Sequence, residues 1–220
     1  MALAGHFPNE SKDYRAARKK LLQAELELRR KVEAVAAQRR KLPPGGEIPE
    51  DYVFDRPDGK VKLSQLFRNG NTLVAYSFMY GPTMAKACPM CTSMLDGLDG
   101  NAQHIAQRTN LVVIAKSPLA RILDHARTRG WSNLSLLSSE KNDYNRDYHG
   151  EADDGSQNPI LNVFVKDGKK IRHWYATELV FAKPDAGQDP RHIDMMWPLW
   201  NLLDFTPEGR GKDWYPKLAY

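Results

Sequence analysis

The chain has 220 residues, 41% of them hydrophobic and 27% charged, with a formal net charge of +5. That length suffices for one domain with extensions and a core that needs no disulfides, and no apolar run reaches the ~18 residues of a membrane-spanning helix. The charge does not mark a nucleic-acid binder: residues 12–41 hold 11 Lys/Arg against 4 Asp/Glu, so the remainder is net −2 and offers no footprint for a phosphate backbone.

The first seven residues lack the charged-then-apolar layout of a signal peptide, so a cytoplasmic, reducing compartment is expected. Residues 11–41 predict a long helix. Ser11 is a good N-cap, Asp13 sits in the first turn, and Tyr14, Ala17, Leu21, Ala24, Leu28, Val32 and Val35 form a narrow apolar stripe. Pro43-Pro44-Gly45-Gly46 ends the helix and opens a linker, which gives an N-terminal extension over 1–46 and a domain over 47–220. The stripe is expected to pack on protein, a second subunit being one partner, which would make the chain a homodimer. A nucleic-acid arm is disfavoured, and a membrane-surface role fits poorly because the stripe is rich in Ala and lacks Trp or Phe.

Residues 51–54 and 60–63 flank Pro57-Asp58-Gly59 and read as a β-hairpin. A short helical turn follows near 64–67, then the apolar run Leu73-Val74-Ala75-Tyr76-Ser77-Phe78-Met79 as a strand. Next comes Ala87-Cys88-Pro89-Met90-Cys91, which contains both cysteines of the protein. Cys91, Met94, Leu95, Leu98, Ala102 and Ile105 then recur at helical spacing. Cys88 therefore falls where a strand ends and a helix begins, with Pro89 suited to the first turn. Unpaired N–H groups and the helix dipole there favour a thiolate, and Cys91 one turn in is placed to resolve a mixed disulfide. A structural clip would close too short a loop to stabilise much, and half a zinc site lacks its other ligands.

Gly97 and Gly100 mark a kink or a close packing contact in that helix, and Asp96 and Asp99 read as solvated carboxylates. Residues 110–116 form a buried strand, Pro118 opens a helix stopped by Gly130, and 134–137 is a short strand or loop. Residues 138–157 look like an irregular polar excursion with a short helix near Tyr144. Residues 160–165 and 170–175 make a second hairpin about Asp167-Gly168. Residues 190–203 look helical, and the tail beyond is irregular. Trp197 and Trp200 read as core, whereas Trp214, Tyr215 and Tyr220 suit an interface or the mouth of the site.

The order β-β-β-α-β-α-β-β-α is that of a thioredoxin-like α/β fold, a mixed sheet flanked by helices, here with a long N-terminal helical extension. In such sheets sites form at the carboxyl ends of strands, where Cys88 lies. Such folds carry a cis-proline before the strand that opens the last hairpin. Pro159 in Asn158-Pro159-Ile160 is the candidate, with Asn158 and Pro159 facing the substrate and the Asn158 backbone free to pair with an extended chain.

Nearly the whole length resembles the bacterial thioredoxin-like "domain of unknown function 899" family. The residues that carry this are Gln38-Arg39-Arg40-Lys41-Leu42-Pro43, Asp51-Tyr52-Val53-Phe54, Phe78-Met79-Tyr80-Gly81-Pro82, Cys88-Pro89-Met90-Cys91, Asp96-Gly97-Leu98-Asp99-Gly100 and 201–210. The resemblance implies the fold and leaves the substrate open. The Cys-Pro-x-Cys order is similar to glutaredoxins. The hairpin and the Ser117-Pro118 segment look like peroxiredoxins, but Ala85 stands where their Thr or Ser would be. Ala87 replaces the Trp that precedes the first Cys in thioredoxin, and the run from Leu73 to Met79 has no buried Asp.

The resulting expectation is a thiol–disulfide oxidoreductase, with Cys88 attacking and Cys91 resolving, acting on a protein or small-molecule disulfide. No cofactor is expected, since no dinucleotide loop or P-loop is present. The alternatives are a thiol-dependent peroxidase, a copper(I) module using Cys88, Cys91 and a distant His such as His173, and a non-catalytic interaction protein that docks through the basic helix and aromatic tail.

Overall fold

The computed structural model describes residues 7–186, 190–211 and 214–218; Tyr220 lies outside them. The chain divides into two units, Met1–Pro43 and Pro44–Tyr220. Among the described residues no helix is long and apolar enough to cross a membrane.

The first unit is one helix, α1 (Lys12–Arg40). The Ser11 side chain caps it by accepting from the Tyr14 N–H at 3.1 Å. Asp13 lies in the first turn and Arg39 and Arg40 in the last, each matched to the local helix dipole. Tyr14, Leu21 and Leu28 of the stripe are exposed.

The second unit is built on a seven-stranded mixed sheet. Its elements are β1 (Val53–Arg56), β2 (Gly59–Lys62), β3 (Thr72–Ser77), α2 (Pro89–Ile105), β4 (Asn110–Ala115), α3 (Leu119–Arg129) and β5 (Leu136–Ser138). Then follow α4 (Tyr144–Asp147), β6 (Leu161–Asp167), β7 (Lys170–Ala176) and α5 (Pro198–Leu203). The strand order is β2-β1-β5-β4-β3-β6-β7. β3, β4 and β5 run parallel through the crossover helices α2 and α3, while β6 lies antiparallel to β3 with Tyr76 opposite Leu161. This is the thioredoxin-like arrangement, extended at one edge by the β1–β2 hairpin.

The strands at the sheet centre are apolar throughout because both faces are covered. On one face Tyr76, Val113, Leu161 and Val163 pack with Met94, Leu95, Ile122, Trp197 and Trp200. On the other, Leu73, Ala75, Ile114 and Phe164 pack with Tyr52, Phe54, Tyr144 and Tyr148. Residues 138–157 contain the short helix expected near Tyr144, here α4, and many of them are exposed, but the segment also supplies part of the core. Their Asp-rich composition masks a few large side chains, and the fully buried Tyr144 closes the second core against Tyr52 and Phe54.

Two further expectations change, and the choice left open at Gly97, kink or close packing, is settled as packing. Residues 190–203 do not form one helix: a 3-10 turn at Asp194–Met196 precedes α5, because Pro198 has no N–H to continue the ladder and holds Trp197 extended. α2 runs unbroken through Gly97 and Gly100, and Gly97 serves packing, since a Cβ there would sit 3.3 Å from Pro198 Cγ. Asp96 and Asp99 are not free carboxylates on the surface: Asp96 is half-buried and paired, and Asp99 is buried. Asp96 pairs with Arg129 at 2.6 Å and accepts from Trp131 Nε1 at 2.7 Å. Asp99 is buried and accepts from the backbone N–H groups of Ser132, Asn133 and Leu134 at 2.8–3.1 Å.

Candidate active site

Cys88 is placed by the end of β3 and the start of α2. It is the N-cap of α2, with Pro89 at the first helical position. Its backbone N–H donates to the Met79 carbonyl at 3.0 Å, and its carbonyl accepts from the Thr92 N–H at 3.0 Å and the Thr92 hydroxyl at 2.9 Å. The loop between β3 and Cys88 is pinned from α3. Arg121 donates to the Met84 carbonyl at 2.6 Å and to the Gly81 carbonyl at 3.3 Å, and its guanidinium lies 4.4 Å from the centre of the Tyr80 ring. The Cys88 backbone is thus held from β3, α2 and α3.

The two thiols, neither of them in a disulfide, differ sharply. Cys91 is 1% exposed and Cys88 9%. Cys88 is lowered to about 6, chiefly by the hydrogen bond from the Cys91 thiol. Burial opposes this, and the N–H groups of Cys91 and Met90 and the hydroxyl of Tyr215 add to it. Cys91 is pushed well up, first by burial and then by its bond to Cys88 and that sulfur's charge. At neutral pH Cys88 is the thiolate and Cys91 holds the proton, the division of labour that a dithiol exchange needs.

Cys88 and Cys91 open onto a cavity of about 600 Å³, whose walls include Asn158 and Pro159 as well as Met79, Trp197, Trp200 and Tyr215. All four residues singled out in the sequence therefore meet at one place. The expected cis bond does not: among the described residues every peptide bond is trans, Pro159 included. The segment is tied down in that form. The Pro159 carbonyl accepts from His192 Nε2 at 2.5 Å, the Asn158 N–H donates to the Gly150 carbonyl at 3.0 Å, and its side-chain amide donates to the His149 carbonyl at 3.0 Å. Without a constraint that selects cis, the trans prolyl bond is the lower by about 0.5–1 kcal/mol.

The copper reading fails on topology. His173 packs on Tyr148 and Phe164 and meets Asn162 Oδ1 at 2.9 Å, on the far side of the sheet from both sulfurs. Among the described residues no group of three or more His, Cys, Asp or Glu is placed to hold a metal. Ala85, three residues before Cys88, is exposed and offers no hydroxyl, and the Thr92 hydroxyl is spent on the Cys88 carbonyl.

Of the two places the sequence offered for Tyr215, an interface or the mouth of the site, the structure shows the mouth, and adds that its hydroxyl lies 3.9 Å from Cys88 Sγ. The aromatic density of the tail was the available signal. Sequence reasoning missed Gln157, Tyr76 and Trp200 as cavity walls that carry buried polar atoms without a hydrogen-bond partner among the described residues. The Tyr76 hydroxyl faces Cys91 without closing a geometric hydrogen bond to it.

Solved structures that resemble the chain include the peroxidoxin BcpB from Mycobacterium tuberculosis. It is 18% identical, with 71% of this chain and 94% of that one covered and a TM-score of 0.48. The reduced 2-Cys peroxiredoxin of Plasmodium vivax is 19% identical over 60% of this chain and 83% of that one, TM-score 0.45. The exposed lipoprotein thioredoxin Etrx1 of Streptococcus pneumoniae is 15% identical over 56% and 87%, TM-score 0.42. Likeness of this extent assigns no activity. A comparison with curated proteins found no match. The family of bacterial proteins of unknown function DUF899 matches residues 5–220, and the chain belongs to that family.

Proposed function

We infer that the protein is a thiol–disulfide oxidoreductase. The observation that carries the reading is the placement of the two thiols, Cys88 capping α2 at the mouth of a cavity and Cys91 buried one turn in, an arrangement that lowers the first and raises the second. The Cys88 thiolate attacks one sulfur of a substrate disulfide. A Cys88–substrate disulfide forms, the substrate S–S bond breaks, and one thiolate leaves. Cys91 then loses its proton and attacks Cys88 Sγ, giving the Cys88–Cys91 disulfide and the second substrate thiolate. Two electrons pass from the dithiol to the substrate, and an external dithiol restores the pair. Asn158 and Pro159 act as walls that hold the substrate over Cys88.

A cytoplasmic, reducing setting suits a chain whose only cysteines are this pair. The basic excess is confined to α1, which argues against a nucleic-acid partner. Trapping tests the reading. Cys91→Ser protein should accumulate a mixed disulfide through Cys88, and Cys88→Ser should not. A mixed disulfide that forms equally well in both variants would remove the role assignment.

A further inference from the structure

We propose that the substrate of this dithiol is a small disulfide without anionic charge, with an aromatic or aliphatic body and at least one hydrogen-bond acceptor, and not a polypeptide. The proposal rests on the oxidoreductase reading and narrows its substrate class.

Four observations converge on it. First, the cavity beside Cys88 has about 600 Å³, within the range of small-ligand pockets, and its walls are mostly apolar: Met79, Met90, Ile193, Trp197 and Trp214. Second, the sulfur is nearly enclosed: Cys88 is 9% exposed and Tyr215 reaches over it from the tail. A disulfide on a folded protein would have to pass that tail for in-line attack.

Third, most of the backbone groups that could pair with an extended peptide here are already used. The Asn158 N–H is bonded to Gly150, the Pro159 carbonyl to His192, and the Ile160 carbonyl accepts from the Ser77 N–H at 2.8 Å. Strand addition at a sheet edge needs such groups unspent.

Fourth, the polar content of the walls selects among small molecules. The arginines there are matched by carboxylates. Arg210 pairs with Asp194 and Asp204, each at 2.7 Å, and Arg191 lies 3.8 Å from Asp194. An anionic substrate would have to compete with these pairs. Trp200 Nε1, by contrast, is a buried donor with no partner among the described residues, and the Tyr76 hydroxyl and Gln157 Oε1 are likewise unmatched. Buried polar atoms of this kind are costly unless a ligand or water meets them. Trp200 Nε1 can only donate, so a ligand group that reaches it on a small shift of the Trp200 or Trp214 ring must accept.

The test is stopped-flow oxidation of the reduced full chain by three disulfides: dithiodipyridine (neutral and aromatic, with ring nitrogens as acceptors), dithiobis(nitrobenzoate) (aromatic and anionic) and insulin. Each rate is divided by that of a free alkyl thiolate with the same reagent, which removes intrinsic reactivity. The normalised rate should saturate with dithiodipyridine and exceed that of the anionic reagent by about tenfold or more, the scale on which an apolar pocket discriminates. Insulin should gain nothing over the free thiol. Trp200→Phe keeps a ring and removes the donor, and Trp214→Ala removes an exposed wall. Both should reduce the neutral-to-anionic ratio several-fold, as expected for loss of one hydrogen bond or one apolar contact.

A normalised preference for insulin or for the anionic reagent would overturn the proposal, as would a ratio that neither variant changes. Failure of the underlying reading looks different. In that case iodoacetamide would alkylate Cys88 no faster than a free thiol at neutral pH, and no reagent would convert the pair to a Cys88–Cys91 disulfide.

Discussion

The Tyr215 hydroxyl lies 3.9 Å from Cys88 Sγ across 127 residues of sequence, so the end of the chain contributes directly to the state of its first cysteine. Cys88 is lowered to about 6, first by Cys91 and with a smaller part from Tyr215. Alkylation of Cys88 by iodoacetamide should therefore rise as pH increases through about 6 and level off above it. Tyr215→Phe should move that half-point upward, and Cys91→Ala should move it further. The sign carries over to stability. A thiol that ionises more readily when folded stabilises the reduced fold fully above the free-thiol value of ~8.5. That contribution fades as pH falls through about 6. A half-point at or above the free-thiol value, or a larger effect from Tyr215→Phe than from Cys91→Ala, would contradict this ordering.

Asp99 gives a second prediction, on stability. It is buried in α2 and accepts from three consecutive backbone N–H groups of the segment that leads into β5. Asp99→Ala would leave these donors without their acceptor. The cost should be about 3 kcal/mol, since each buried unmatched donor costs about 1–3 kcal/mol and the segment can partly relax toward water. Urea unfolding of the reduced protein measures it. Asp99→Asn keeps the acceptor oxygen and should lose less than half as much.

What the sequence made legible, and what it did not, follows the range of the interactions. The position of Cys88 depends on a strand, a proline and a helical repeat within a few dozen residues, and local pattern found it. The β6–β7 hairpin was similarly readable from Asp167-Gly168, with Gly168 at φ 58°. The environment of Asp99 was not, because its partners lie 33–35 residues away and nothing next to it signals a loop in need of an acceptor. His192 meets Pro159 over the same range, 33 residues, and Tyr215 meets Cys88 over 127, which is why the sequence placed it no more closely than an interface or the mouth of the site. The break at Pro198 is different: the local rule was available, and the apolar spacing across it concealed the proline.

Pro159 supplies a third prediction, which separates a wall from a conformational device. Its bond is trans, and its carbonyl keeps the same partner, His192, whatever side chain stands at the position. Pro159→Ala should therefore cost about 0.4–1 kcal/mol through the freer unfolded chain. The alkylation half-point of Cys88 and the reduction potential of the pair should stay as they were. A large shift in either would mean that the ring itself holds the thiolate in place.

The last prediction concerns α1. Tyr14, Leu21, Leu28 and Val35 recur every seven residues along its length, and the first three are exposed. A seven-residue repeat with charged residues on the other faces is the pattern of a coiled-coil seam, because only a supercoiled partner keeps such a stripe covered turn after turn. A lone helix of this length would leave the seam in water, and most helix stability in proteins comes from packing one face. The partner proposed for it is a second copy of the chain, whose stripe is identical and hence of matching length. Sedimentation equilibrium of the full chain should give a mass above the 25.0 kDa of a single chain, rising with concentration. Leu21→Glu and Leu28→Glu place like charges in the seam and should return the mass to one chain, without altering the alkylation half-point of Cys88. A monomer at every concentration, or a dimer indifferent to both changes, would remove α1 as the seam.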